Sequence, residues 1–205
     1  MIVIVAAHPD DESVGAASLL LSSDRAARID PAGGERISVC HVTDGSPRNP
    51  SDARALGFAT REAYAAARAG EAAAALKLAG IPPALHLALG VVDQEASLRM
   101  AWLARELCAR FERLRPETVV THAYEGGHPD HDAVAFAVQA AVALLAAREA
   151  PVPAVIEMTS YHRGRGDVLE TGVFLDGDGD GVIIHRLDPS ERRRKEALLA
   201  CYRSQ

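Results

Sequence analysis

Apolar and polar positions follow two periods along the chain, one typical of buried strands and the other of amphipathic helices. Short apolar runs that predict strands lie at residues 2–6, 36–42, 85–89, 118–121 and 155–161. Segments with helical spacing separate them, at residues 13–22, 53–79, 98–114 and 132–147, and a last helix begins near Pro189. Strands that alternate with helices predict an α/β sandwich of three layers, with a mostly parallel sheet and helices on both faces.

The last third of the chain departs from this alternation. Two strand-like segments, residues 172–175 and 181–187, flank the run Asp176-Gly-Asp-Gly-Asp-Gly. This pattern predicts a β-hairpin at the edge of the sheet near the C-terminus. The Asp-Gly run is similar to the start of a calcium loop, but Leu187 stands where such a loop needs Glu. A tight turn is therefore the better interpretation.

The length and the composition favour one soluble domain. A chain of 205 residues with 48% hydrophobic and 24% charged residues can bury a substantial core. We therefore expect a single domain over residues 1–205. The abrupt end after Ser204-Gln205 leaves open that a C-terminal portion lies beyond it.

Charge and cysteine content exclude several classes of partner. A net charge of −6 favours neither nucleic acid nor an anionic membrane surface as a partner. The long apolar stretch at residues 133–147 contains Gln139 and is interpreted as a buried helix, so no membrane span is predicted. Three widely spaced cysteines indicate a reducing compartment, and we expect a cytoplasmic protein. A homo-oligomer is compatible with this composition.

The candidate chemistry lies in two short segments, Ala-His-Pro-Asp-Asp-Glu at 7–12 and His-Pro-Asp-His-Asp at 128–132. Each segment follows a predicted strand, and functional groups of an open α/β sheet gather beyond the carboxyl ends of its strands. Imidazole and carboxylate side chains suit zinc, and three protein ligands leave one position open for water. The two segments therefore predict a metal-dependent hydrolase.

Adjacent carboxylates and paired imidazoles can divide the work of such a site. Of Asp10 and Asp11, one can bind the metal while the other takes a proton from the metal-bound water. Of His128 and His131, one can complete the metal site while the other, held by a neighbouring carboxylate, stabilises the oxyanion. The alternative is that the acidic residues only cap the helices that follow.

Both segments resemble the hallmarks of the PIG-L or LmbE-like family, zinc-dependent deacetylases typified by N-acetylglucosaminyl-phosphatidylinositol de-N-acetylase. Weaker similarities extend the resemblance over most of the chain, at Val42-Thr43-Asp44-Gly45, at Arg68-x-x-Glu71 and from Lys195 to Ser204-Gln205. The resemblance implies a Rossmann-like sheet, which agrees with the alternation of strands and helices.

The resemblance also implies a role for each residue of the two segments. The implied zinc ligands are His8, Asp11 and His131. Asp10 corresponds to the general base that activates the zinc-bound water. His128 corresponds to the imidazolium that stabilises the oxyanion together with zinc, and Asp130 is its partner. Zinc suits these ligands best, although another divalent transition metal such as iron or cobalt would also accept them.

Family members remove an acetyl group from an N-acetylated amino sugar or a related glycoconjugate, and the resemblance implies such a small-molecule substrate here. Arg68 and Asp93 lie where the family places sugar contacts, but Arg68 is also spaced to pair with Glu62 or Glu71 on a helix surface. Two other functions stay open. One is a metal hydrolase of the same scaffold that acts on another amide or an ester, and the other is a sugar-binding module without catalysis.

Overall fold

A five-stranded sheet forms the centre of the computed structural model, which describes residues 1–21, 37–175 and 181–205. Its strands are β1 (Ile2–Ala6), β2 (Ile37–Pro47), β3 (His86–Asp93), β4 (Thr118–His122) and β5 (Ala154–Met158). They lie in the order β3-β2-β1-β4-β5, and every neighbouring pair is parallel. The predicted parallel α/β sheet is confirmed.

Seven α-helices surround the sheet within the described residues. They are α1 (Asp11–Gly15), α2 (Ala17–Leu21), α3 (Ser51–Ala55), α4 (Arg61–Leu78), α5 (Met100–Leu114), α6 (Pro129–Ala147) and α7 (Pro189–Leu199).

Both faces of the sheet are covered, because the side chains of β1 alternate between two buried clusters. Val3 and Val5 belong to a cluster with side chains from α5 and α6. Ile4 and Ala6 belong to a second cluster with side chains from α2, α4 and α7. The result is the predicted sandwich of three layers.

Helix α6 is a core helix with an unusual composition. Its length and apolar character alone would suit a membrane span. Half of that stretch is buried inside the fold, however, where Val134, Val138 and Leu145 join the cluster on the α5 side of the sheet. The apolar stretch is thus explained by packing against the protein's own core.

The predicted helix over residues 53–79 is two helices in the structure. Gly57, with φ +83°, lies between α3 and α4 in a backbone conformation that glycine adopts without strain. Thr60 then starts α4, because its side chain accepts a hydrogen bond from the Ala63 N–H at 3.1 Å. The segment predicted as one helix over residues 13–22 is likewise divided into α1 and α2.

An antiparallel hairpin lies near the C-terminus as predicted, but other residues form it. Strands β6 (Tyr161–Arg163) and β7 (Leu169–Thr171) pair as a separate two-stranded sheet. Gly166 and Asp167 have positive φ values and make its turn. Residues 172–175 and 181–187, predicted as strands, are not strands in the described structure, and residues 176–180 of the predicted turn lie outside it.

Candidate metal centre

The two motif segments meet at the point where the strand order reverses. From β1 the chain continues towards β2 on one side, and from β4 towards β5 on the other, so a crevice opens between these adjacent strands. His8 follows β1 directly, and His131 lies in the first turn of α6, which follows β4. The topology therefore brings together side chains that are 123 residues apart.

The side chains of His8, Asp11 and His131 form a triangle of donor groups, in which the two histidines face different oxygens of the Asp11 carboxylate. His8 Nδ1 lies 3.2 Å from His131 Nε2 and 3.3 Å from Asp11 Oδ2, and His131 Nε2 lies 3.3 Å from Asp11 Oδ1. A tetrahedral ion with bonds of about 2.0–2.1 Å separates its ligands by about 3.3 Å. The donor types suit zinc, and each pair of facing donor atoms has the spacing of two neighbouring ligands of such an ion. Neighbouring groups that could also hold an ion share these residues with His122, His128, Asp93 and Asp130.

The other ring nitrogen of His8 is held by two carboxylates. His8 Nε2 lies 3.0 Å from Asp93 Oδ1 and 3.3 Å from Asp130 Oδ2. Burial alone would lower the pKa of His8, but its hydrogen bonds to Asp11, Asp130 and Asp93 raise it well above the usual value. A histidine that donates from one nitrogen to a carboxylate is oriented to bind metal through the other. Asp93, predicted to contact substrate, thus lies behind His8.

Asp10 lies beside the triangle in a strained backbone conformation. Its φ is 151°, and its Oδ1 is 3.6 Å from Arg68 Nη2. Burial and the adjacent charge of Asp11 raise the pKa of Asp10 to about 7, although Arg68 opposes the shift. A carboxyl group with such a pKa can accept and return a proton near neutral pH.

His128 begins α6 and faces the same centre. Its Nδ1 accepts the Asp130 N–H at 3.1 Å, which leaves Nε2 as the protonated nitrogen of the neutral ring. Its ring centroid lies 4.6 Å from that of His8. Burial, followed by the charges of His8 and His131, lowers the pKa of His128.

Asp130 contacts both His8 and His128, through different atoms. Its main-chain N–H contacts His128, whereas its fully buried carboxylate turns towards His8 and accepts the N–H groups of Gln94 at 2.6 Å and Ala96 at 3.0 Å. The described contact of Asp130 with its predicted partner His128 is therefore a main-chain one.

His122 and Tyr161, which also lie outside the motifs, contact the site as well. His122 is buried, accepts the Ala7 N–H at 2.9 Å through Nε2, and stacks on the His131 ring at 4.0 Å. Its place at the end of β4 is the only sequence signal for it. The Tyr161 ring lies 5.4 Å from the His131 ring, and a side chain at Gly127 would overlap the Tyr161 main chain. No sequence pattern predicts that Tyr161 lies at the site, because its position depends on the hairpin formed by β6 and β7.

Arg68 is close to the motif but is not on the surface. It is only 7% exposed, and its guanidinium donates to the carbonyl oxygens of Gly45 and Pro9 and to the Gln205 side chain. The alternative that Arg68 pairs with Glu62 or Glu71 on the helix surface is therefore wrong.

The sequence matches a family of known proteins. The family model of PIG-L, GlcNAc-PI de-N-acetylase, matches residues 3–142. A search of the curated proteins found no significant match.

Several solved structures have a similar fold. The zinc-inhibited form of teicoplanin deacetylase is 18% identical with a TM-score of 0.69, and the match covers 100% of this chain and 84% of that one. An N,N'-diacetylchitobiose deacetylase from Pyrococcus horikoshii is 17% identical with a TM-score of 0.64, covering 100% and 70%. The 4-carboxy-2-hydroxymuconate hydratase from Pseudomonas putida KT2440 is 18% identical with a TM-score of 0.61, covering 100% and 79%.

At these identities the structural matches establish the fold, whereas the family model spans more than half of the chain and includes both motif segments. The chain therefore belongs to the PIG-L family of GlcNAc-PI de-N-acetylases.

Proposed function

We propose that this chain is a metal-dependent hydrolase that removes an acetyl group from an N-acetylated amino sugar or a related glycoconjugate. The observation that carries the proposal is the triangle formed by His8, Asp11 and His131, with Asp10 and His128 beside it. Membership of the PIG-L family supports the same reaction. Two proteins of similar structure are a teicoplanin deacetylase and an N,N'-diacetylchitobiose deacetylase, which supports a glycan substrate.

Zinc is the proposed metal, held by His8 Nδ1, Asp11 and His131 Nε2. When bound, such an ion acts as a Lewis acid and lowers the pKa of water to about 7. Another divalent transition metal would accept the same donors. One similar deacetylase has a zinc-inhibited form. Elemental analysis of the purified chain therefore has to identify the metal that supports turnover.

The proposed proton carrier is Asp10. Its carboxylate takes a proton from the attacking water while the water oxygen bonds to the acetyl carbon. The same carboxyl group then returns the proton to the sugar nitrogen as the C–N bond breaks, so acetate and a free amine leave. A pKa of about 7 suits both steps, because the carboxyl group can then lose and gain a proton near neutral pH.

His128 is the proposed oxyanion donor. The hydrogen bond from the Asp130 N–H to Nδ1 fixes the tautomer that carries its proton on Nε2. The lowered pKa of His128 favours the neutral ring, so we propose that it stabilises the oxyanion as a hydrogen-bond donor rather than as the imidazolium expected from the resemblance.

The fold alone does not select this reaction, since one similar structure is a hydratase. The two other hypotheses, a hydrolase of another amide or ester and a sugar-binding module, share the same scaffold. Hydrolysis is favoured over simple binding because a binding site needs neither a proton carrier nor an oxyanion donor.

The test is acetate release from a panel of N-acetylated sugars and glycoconjugates, set against other N-acyl amides and O-acetyl esters. We expect acetate and an equal amount of free amine from at least one N-acetylated sugar. The Asp10→Asn variant should lose about 10²–10⁴-fold in kcat because its amide cannot accept the proton, and it should retain its metal.

The matched control is Asp52→Asn, an exposed carboxylate on α3, which should leave kcat unchanged. Cleavage confined to esters or to other amides would favour the second hypothesis. Sugar binding without acetate release would favour the third. An Asp10→Asn protein with undiminished turnover would remove Asp10 from its proposed role.

A further inference from the structure

The segment that follows α7 returns to α4 and ends beside the first motif. The Tyr64 hydroxyl donates to the Ser204 carbonyl oxygen at 3.1 Å. The Glu71 carboxylate accepts the N–H of Ser204 at 3.0 Å and its hydroxyl at 2.7 Å. Tyr64, Arg68 and Glu71 lie on one face of α4, since residues four and three positions apart are neighbours on a helix. This face of the helix therefore fixes the position of Gln205.

Gln205 and Arg68 together hold one peptide group of the motif. Gln205 Nε2 donates to the Pro9 carbonyl oxygen at 2.9 Å, and Arg68 Nη2 donates to the same oxygen at 3.3 Å. Arg68 Nη2 also donates to Gln205 Oε1, so the two side chains hold each other in place. We call this pair with its acceptor the Pro9 clamp.

The clamp requires space that only glycine leaves on the opposite side. Arg68 Nη1 donates to the Gly45 carbonyl oxygen, and a side chain at Gly45 would overlap the guanidinium. Gly45 also has φ +67°, which glycine adopts without strain. The guanidinium is thus fixed between the end of β2, the motif and the end of the described chain.

The Pro9 clamp fixes the peptide group between Pro9 and Asp10. Its carbonyl oxygen is in the clamp, and its N–H donates to Glu12 Oε2 at 3.2 Å. Asp10 keeps a φ of 151°, which persists in a non-glycine residue only when the surroundings impose it. Contacts on both sides of this peptide therefore determine where the Asp10 carboxylate lies.

We propose that Gln205 is a positioning residue for the reaction, and that with Arg68 it holds the Pro9–Asp10 peptide so that the Asp10 carboxylate lies beside the triangle. The proposal deepens the proposed function and rests on it for the role of Asp10. Gln205 acts on the reaction through the Pro9–Asp10 peptide. The Arg68 guanidinium donates to main-chain and side-chain acceptors within the protein.

The experiment compares the full chain with the variants Gln205→Ala, Gln205→Glu and Arg203→Ala. The glutamate variant keeps an acceptor for Arg68 but lacks the donor to Pro9. Arg203 is the control, because its described contacts are made by the main chain alone. Two quantities are measured, kcat and KM for acetate release and the hydrogen exchange of peptides within residues 7–14.

Both Gln205 variants should lose about 10- to 100-fold in kcat, because a small displacement of a reacting group costs that much, while KM and the melting temperature stay close to those of the wild type. Exchange within residues 7–14 should be faster in both variants and unchanged in Arg203→Ala. Wild-type kcat together with wild-type exchange in the Gln205 variants would overturn the proposal, as would a loss of kcat equal to that of Arg203→Ala.

Exchange separates this proposal from the proposed function. If the wild-type chain releases no acetate from the panel, the proposed function fails. The exchange comparison then still decides whether Gln205 holds the motif, since it needs neither substrate nor metal.

Discussion

At the scale of single residues, the function depends on which atom of each side chain faces the centre. His8 shows this best, because Nδ1 belongs to the triangle while Nε2 is held by Asp93 and Asp130. The sequence predicts a ligand role for His8 through the resemblance of its motif to the PIG-L family, and that role stays a prediction. The sequence does not predict the contact between His8 Nε2 and Asp93, because Asp93 lies at the end of a different strand.

The role of Asp93 can be tested by Asp93→Asn. The amide has lost the charge that orients His8, so we expect metal affinity to fall about 10–100-fold, as for other residues that hold a metal-binding histidine. Affinity is measured by competition with a chromophoric chelator, and Asp52→Asn serves as the control. Intact metal affinity combined with a raised KM for sugar would instead support the sequence-based prediction that Asp93 contacts substrate.

At the scale of elements, local patterns predicted the strands and most helices, but not how the ends of elements are joined. The hairpin was expected from the Asp-Gly run, whereas the paired strands lie before it, at residues 161–171. Glu12 is a second residue whose contacts the sequence does not predict. The sequence indicates only that Glu12 belongs to the first motif or caps a helix, whereas its fully buried carboxylate joins three parts of the chain.

The contacts of Glu12 come from distant parts of the chain. Oε1 accepts the hydroxyls of Ser13 at 2.9 Å and of Tyr202, and Oε2 lies 2.8 Å from His41 Nε2. Burial would raise the pKa of Glu12, but the charge of His41 and these hydrogen bonds lower it. Glu12 thereby ties α1 to β2 and to the segment after α7.

We expect Glu12→Gln to lower the free energy of unfolding by about 2–4 kcal/mol, because the amide nitrogen cannot accept the hydrogen bonds made to one carboxylate oxygen. Urea denaturation measures the change. The exposed Glu62→Gln on α4 is the control and should have little effect. A Glu12→Gln protein as stable as the wild type would show that this carboxylate does not join the elements energetically.

The pH dependence of stability gives a second measure of the same contacts. The folded-state pKa of Glu12 is lowered, so its contribution is fully present above the unfolded pKa of about 4.3 and is lost as the pH falls through the folded-state value. The stability difference between wild type and Glu12→Gln should therefore narrow as the pH is lowered below about 4.3.

At the scale of the whole molecule, the parallel sheet was predictable, but the order of its strands was not. Alternating strands and helices indicate a parallel sheet, whereas no local pattern determines that β1 and β4 are neighbours. That neighbourhood is what brings His8 and His131 together. The return of Ser204 and Gln205 to α4 was likewise beyond local patterns, because its partners lie more than 130 residues earlier in the chain.

The central claim is that His8, Asp11 and His131 hold one divalent ion that the reaction needs. The most direct measurement is elemental analysis of the purified chain and of His131→Ala, with acetate release measured on the same samples. The account predicts one divalent transition-metal ion per wild-type chain, with metal and acetate release lost together in the variant and on chelation. Full metal content in His131→Ala, or undiminished turnover by the metal-free chain, would contradict it.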